Sequence, residues 1–148
     1  CQYTNLCAVC QAQLRIMKVR YPKPGIVYKG AIPVAEIALN TSDKYLTILI
    51  SALLGNAYKF TQEGTISLEC DRLGDDRVFV AVADTGCGIP PEKHGYVFER
   101  FTKLDPFSQG NGLGLYLCRL IVTHLHGEIY IDSGYTGGTR IVAILPRR

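Results

Sequence analysis

Three clusters of residues in this chain carry types and spacings suited to chemistry. The first is Asp84-Thr-Gly-Cys-Gly-Ile89. Asp84 closes a run of alternating apolar residues, so it falls at a strand end, where a carboxylate can accept a hydrogen bond from an exocyclic amine. Gly86 and Gly88 leave no side chain in the way of a flat ring. Alone, the same residues also read as a plain Asp-Gly turn. The second cluster is Gly110-Asn111-Gly112-Leu113-Gly114-Leu115. Its glycines precede or open a helix, and unpaired amides at a helix start form an anion site that a phosphate chain fits. The spacing is neither that of a dinucleotide fingerprint nor that of a P-loop, and alone it also suits a lid. The third cluster is Leu53-Leu-Gly-Asn56-Ala-Tyr-Lys59-Phe60. Asn56 and Lys59 lie three apart and share a helix face. An amide oxygen suits Mg2+, which combines a few protein oxygens with phosphate and water, and Lys59 can neutralise a phosphate. The competing reading is a polar stripe facing solvent. Asparagine is a poor helix former, so its place between Leu54 and Ala57 asks for a compensating role.

The elements that must hold these clusters follow from periodicity. Residues 4–20 carry apolar side chains at mostly helical spacing, with Thr4 as a cap and Tyr-Pro-Lys-Pro-Gly as the stop. Short strands are expected near Ile26–Lys29 and Glu36–Leu39. Residues 41–61 form the next helix, capped by Thr41, Ser42 or Asp43, with Leu46, Leu49, Ile50, Leu53 and Leu54 as a wide buried stripe. Alternation at Ile66, Leu68 and Cys70, then at Val78, Val80 and Val82, reads as a hairpin turning at Gly74-Asp75-Asp76. A helix over about 113–125 and a closing hairpin that turns at Tyr135–Gly138 complete the chain. Helices that separate hairpin-linked strands predict an α/β (α+β) two-layer sandwich with a mixed, mainly antiparallel sheet, and argue against a doubly wound parallel sheet.

The bulk numbers fit one soluble domain covering residues 1–148. The chain is 47% hydrophobic and 20% charged, ordinary values for a globular protein. A net charge of +3 with scattered basic residues points away from nucleic acid. No apolar run approaches the ~20 residues of a membrane span; the location expected for this segment is cytoplasmic, with room for a membrane anchor elsewhere in a longer protein. The chain begins at Cys1 without a methionine and reads as a piece of such a protein. Cys7-x-x-Cys10 is a spacing used for metals and redox chemistry. No second pair completes a zinc site, so the six cysteines read as reduced, mostly buried, space-filling thiols.

In order, the clusters resemble the boxes of the GHKL ATP-binding superfamily, and specifically the catalytic domain of sensor histidine kinases. Gly-Asn-Ala-Tyr-Lys-Phe resembles the asparagine box and Asp-Thr-Gly-Cys-Gly-Ile the first glycine box. Val-Phe-Glu-Arg-Phe resembles the phenylalanine box, Gly-Asn-Gly-Leu-Gly-Leu the second glycine box, and Gly-Gly-Thr-Arg-Ile-Val the closing strand. The resemblance runs from about Thr4 to Pro146 and implies a Bergerat-type fold that binds ATP and Mg2+. It implies that Asp84 meets the adenine amino group, with Gly86, Gly88 and Ile89 beside it, Thr139 assisting and Phe60 packing on the base. It assigns the phosphates to amides at Gly110, Asn111, Gly112, Leu113, Gly114 and Leu115, a phosphate contact to Lys59 and the metal to Asn56. Residues 102–110 correspond to the lid, hinged at Phe98 and Phe101. The activity implied is transfer of the γ-phosphoryl group to a histidine on a separate dimerisation domain, in cis or in trans, and thence to a response regulator. The fragment itself would be monomeric. Ala52 stands where many histidine kinases carry a second asparagine and where ATP-hydrolysing relatives and serine kinases carry a glutamate, and Tyr45 stands where the family often carries arginine. His94, His124 and His126 have no acceptor-like surroundings, so no catalytic residue beyond the ATP site is expected here. The alternatives are a GHKL ATPase or serine kinase, or a non-catalytic nucleotide-binding regulatory module.

Overall fold

The computed structural model describes residues 3–22, 24–61, 63–86, 114–132, 134–135 and 137–147. The chain opens with a short strand β1 (Tyr3–Asn5) and helix α1 (Leu6–Arg20). The expected cap, Thr4, lies in β1 instead, which pairs antiparallel with β3 (Ala38–Asn40). The Thr4 hydroxyl donates to the Thr41 carbonyl at 2.8 Å. Asn5 takes the capping role because its amide oxygen accepts from both Cys7 N (3.1 Å) and Ile37 N (3.2 Å). One side chain thus satisfies an orphan helix amide and ties the helix start to the strand beside it.

The main sheet has five strands: β2 (Ile26–Ala31), β4 (Gly64–Leu73), β5 (Arg77–Asp84), β6 (Glu128–Ile131) and β7 (Thr139–Pro146), in spatial order β2-β4-β5-β7-β6. Strand β2 runs parallel to β4 and every other neighbour pair is antiparallel. The parallel pair is reached by a crossover through helix α2 (Asp43–Phe60), as parallel neighbours require. Ser42 caps α2, accepting from Lys44 N at 3.2 Å. The expected class, a helix-covered, mixed and mainly antiparallel sheet, is the observed one, with β2 two residues longer than its alternation indicated and β3 shifted toward Asn40.

One sheet face is covered by α1, α2 and α3 (Gly114–His124). Ile66, Leu68, Val80, Val82, Ile141 and Ala143 point into this layer and meet Leu49, Ile50, Leu53 and Leu54 of α2, all of them buried. Cys7, Cys10, Cys70 and Cys118 are free and buried in the same core. Burial pushes the Cys7 thiol up to about 11 and the Cys118 thiol up to about 12. Cys7 and Cys118 are therefore uncharged, and all four thiols fill the core as expected. Cys1 and Cys87 lie outside the described residues. Among the described residues, no helix is long and apolar enough to cross a membrane.

Candidate functional site

Asp84 is the last residue of β5 and only 4% exposed. It sits on the core side of the sheet opposite Thr139, the first residue of β7, which is also buried. The Asp84 carboxylate accepts from Gly86 N at 2.9 Å. Burial raises its pKa above the ordinary carboxylate value, and hydrogen bonds from the backbone of Gly86 and Thr139 only partly oppose this. A carboxylate offers about four lone-pair positions. Two amides leave acceptor capacity on a desolvated group, a state that calls for a donor.

The backbone around Asp84 is fixed from three sides. Thr85 N donates to the Thr65 carbonyl at 3.2 Å, and Thr65 N donates to the Thr85 hydroxyl at 3.0 Å. The Tyr135 hydroxyl donates to the Asp84 carbonyl at 3.3 Å. Gly138 has φ +154, and a Cβ there would strike that carbonyl oxygen and lie 2.8 Å from Thr85 Cα. Only a bare residue permits β7 to start this close to Asp84.

The other two clusters converge on the same end of the sandwich. Helix α2 leads through a short link into Gly64, and Ile66 pairs with Asp84. The C-terminal turns of α2, with half-buried Asn56 and exposed Lys59, therefore lie at the Asp84 end. Helix α3 runs antiparallel to α2. Its last residue, His124, packs its ring on Tyr45 at 5.1 Å between centroids, and the Cys118 thiol donates to the Leu49 carbonyl at 3.9 Å. The 11 residues of α3 span about 16 Å at about 1.5 Å each. Counted from the two contacts, that carries Gly114, at the positive end of the helix, back to about the level of Leu53 to Gly55, within a turn of Asn56. A buried carboxylate, a helix N-terminus, a lysine and an asparagine oxygen thus share one end of the fold.

Several expected site residues are placed only in part. Leu115 is buried in the core, so what it can offer a phosphate is its main-chain amide. The backbone of Phe60 ends α2. Gly88, Ile89, Gly110, Asn111, Gly112, Leu113, His94, Phe98, Phe101 and the lid over 102–110 lie outside the described residues. Ala52, one turn before Asn56 on α2, packs against the core and brings no oxygen. Among the described residues no group of three His, Cys, Asp or Glu side chains could hold a metal ion. A single amide oxygen fits an ion that takes its remaining ligands from phosphate and water, as Mg2+ does. Tyr135 and Gly138 were missed as supports of Asp84, since each reads in sequence as an ordinary turn residue.

A protein-family model described as "Histidine kinase-, DNA gyrase B-, and HSP90-like ATPase" matches residues 41–148. The chain belongs to this family. The adaptive-response sensory kinase SasA of Gloeothece citriformis is 33% identical over 98% of the chain, which spans 38% of that relative's length. The hybrid signal transduction histidine kinase K of Dictyostelium discoideum is 38% identical over 76% of the chain and 11% of its own length. Among solved structures, full-length ShkA in complex with AMPPNP superposes with a TM-score of 0.85 at 25% identity, over 98% of this chain and 30% of that one. The mycobacterial sensor histidine kinase MprB, at 24% identity, shares the fold with a TM-score of 0.86 over 99% of both chains. The resemblance to sensor histidine kinase catalytic domains read from the boxes is thereby borne out.

Proposed function

We propose that this chain binds Mg·ATP at the Asp84 end of the sandwich and donates the γ-phosphoryl group to a histidine on a separate dimerisation domain, from which a response regulator receives it. The observation that carries the reading is the buried Asp84 carboxylate, desolvated and with acceptor capacity left over. Asp84 accepts from the exocyclic amine of adenine. Thr139 flanks the base, and Gly86, Gly88 and Ile89 form its floor, with Phe60 against the ring. The amides from Gly110 to Leu115 and the N-terminal end of α3 hold the phosphates, and Lys59 neutralises part of their charge. Asn56 supplies one oxygen to Mg2+, which when bound draws charge from the phosphate oxygens.

In the transfer, a bond forms between an imidazole nitrogen and the γ-phosphorus as the bond to the β–γ bridging oxygen breaks. ADP leaves and the imidazole loses its proton. Such chemistry rests on positioning and charge neutralisation, so the proton acceptor belongs to the partner domain. The test is incubation with γ-labelled ATP, with and without a sensor-kinase dimerisation domain. Acid-labile label should appear on the added domain and not on His94, His124 or His126. A second reading, a nucleotide-binding module without transfer activity, is favoured by Ala52, which provides no second oxygen one turn before Asn56. ATP binding without any labelling of the acceptor would select it. Steady hydrolysis by the chain alone would select an ATPase instead.

A further inference from the structure

The Asp84 carbonyl is met by a group that no part of the reading above uses. Tyr135 lies in the connection between β6 and β7, and its hydroxyl donates to that carbonyl at 3.3 Å. The connection is itself held in place. Tyr135 N donates to the Asp132 carbonyl at 3.2 Å, and Gly134 N to Asp132 Oδ1 at 3.0 Å. Asp132 Oδ2 accepts from the Arg140 guanidinium at 2.9 Å, and the other arm of Arg140 reaches Glu69 on β4 at 3.1 Å. The tyrosine is thus presented from a turn clamped across the sheet. Its target is the main chain of the last β5 residue, where the ladder to β7 ends and where Gly138 makes its closest approach.

We propose that Tyr135 is a positioning residue for base recognition: by holding the Asp84 main chain it sets where the Asp84 carboxylate stands, and so the preference for a purine that carries an exocyclic amine. This rests on the reading of Asp84 given under Proposed function. A carboxylate discriminates between bases only if its acceptor lone pairs point at the amine, and hydrogen-bond strength falls steeply with misalignment. Hypoxanthine carries a carbonyl where adenine carries the amine. ITP therefore lacks the group Asp84 would bind while keeping the triphosphate and the rest of the ring system.

The test is a double-mutant cycle. ATP and ITP affinities and melting temperatures are measured for the wild-type chain, Tyr135→Phe, Asp84→Asn and the double variant. Tyr135→Phe should weaken ATP on the order of three- to tenfold, the range of one neutral hydrogen bond. ITP affinity should be unchanged, so the ATP-to-ITP preference narrows. In the Asp84→Asn background the same change should have no further effect on ATP. Equal losses for ATP and ITP, with a lowered melting temperature, would show a purely structural tyrosine and overturn the proposal. So would an unaltered preference ratio in Tyr135→Phe alongside a collapsed ratio in Asp84→Asn. If Asp84→Asn itself keeps the full preference, the assignment of Asp84 to the base fails and the role of Tyr135 falls with it.

Discussion

At the scale of single residues, two side chains hold ionisation or polarity that the fold alone does not reward. Burial lifts the pKa of Asp84. A carboxyl whose folded pKa lies above its unfolded value, about 3.9, adds its full share of stability only below that unfolded value. The share is lost as pH rises through the folded pKa. If Asp84 meets the base as proposed, nucleotide affinity should move in the opposite direction, because the ionised carboxylate is the stronger acceptor. ATP affinity should therefore fall as pH drops from about 7 toward 4, and Asp84→Asn should lack that component of the fall. Identical pH profiles in titrations of the two proteins would count against it. Asn56 is half-buried and its side chain makes no hydrogen bond to a described residue, so no partner among the described residues accounts for it. Asn56→Ala should leave the melting temperature unchanged or slightly raised, since alanine is the better helix former by roughly 0.5 kcal/mol. The same variant should lose the gain in ATP affinity that Mg2+ gives the wild type. An intact Mg2+ dependence with a lower melting temperature would instead make Asn56 a structural group. Asp84 was legible in sequence because a carboxylate at a strand end followed by bare residues is a local pattern. Tyr135 was not, because its role depends on the β6–β7 connection folding back onto β5, 51 residues away.

At the scale of elements, local periodicity was informative and partner choice was not. Helix α2 announced itself through its apolar stripe, with Thr41, Ser42 and Asp43 all open as its cap, and the β4–β5 hairpin through alternation on both sides of Gly74. Strand β1 has three residues, too few for alternation to show, so Thr4 reads as the helix cap on sequence alone. Only the contact with Ile37, from a distant segment, decides for Asn5. The parallel pairing of β2 with β4 was equally hidden, since it is set by the crossover through α2 and leaves no mark on β2 itself. Because Asn5 satisfies two amides, Asn5→Ala should destabilise the fold by about 1–2 kcal/mol, read as a lower urea midpoint. Asn5→Asp, which keeps the acceptor, should recover most of the loss. A midpoint unmoved by Asn5→Ala would show that the helix start is held by packing alone.

At the scale of the whole molecule, the fold gathers groups that lie far apart in sequence. The crossover through α2, the hairpin from β4 to β5 and the antiparallel packing of α3 on α2 bring Asn56, Asp84 and Gly114 to one end. His124 and His126 stand at the other end of α3, remote from that site. The gathering was implied by the order of the boxes, although neither it nor the sheet order can be reached from any one box. A ligand that binds only the folded state raises its stability by mass action, about 2.7 kcal/mol at a hundredfold excess over its dissociation constant. The most direct check is therefore the melting temperature of the wild-type chain and of Asp84→Asn, each with and without excess Mg·ATP. The wild type should melt several degrees higher with nucleotide, whereas Asp84→Asn, folded and melting near the free wild type, should gain little. An equal nucleotide-induced rise in both proteins would contradict the central claim that this buried carboxylate recognises the base.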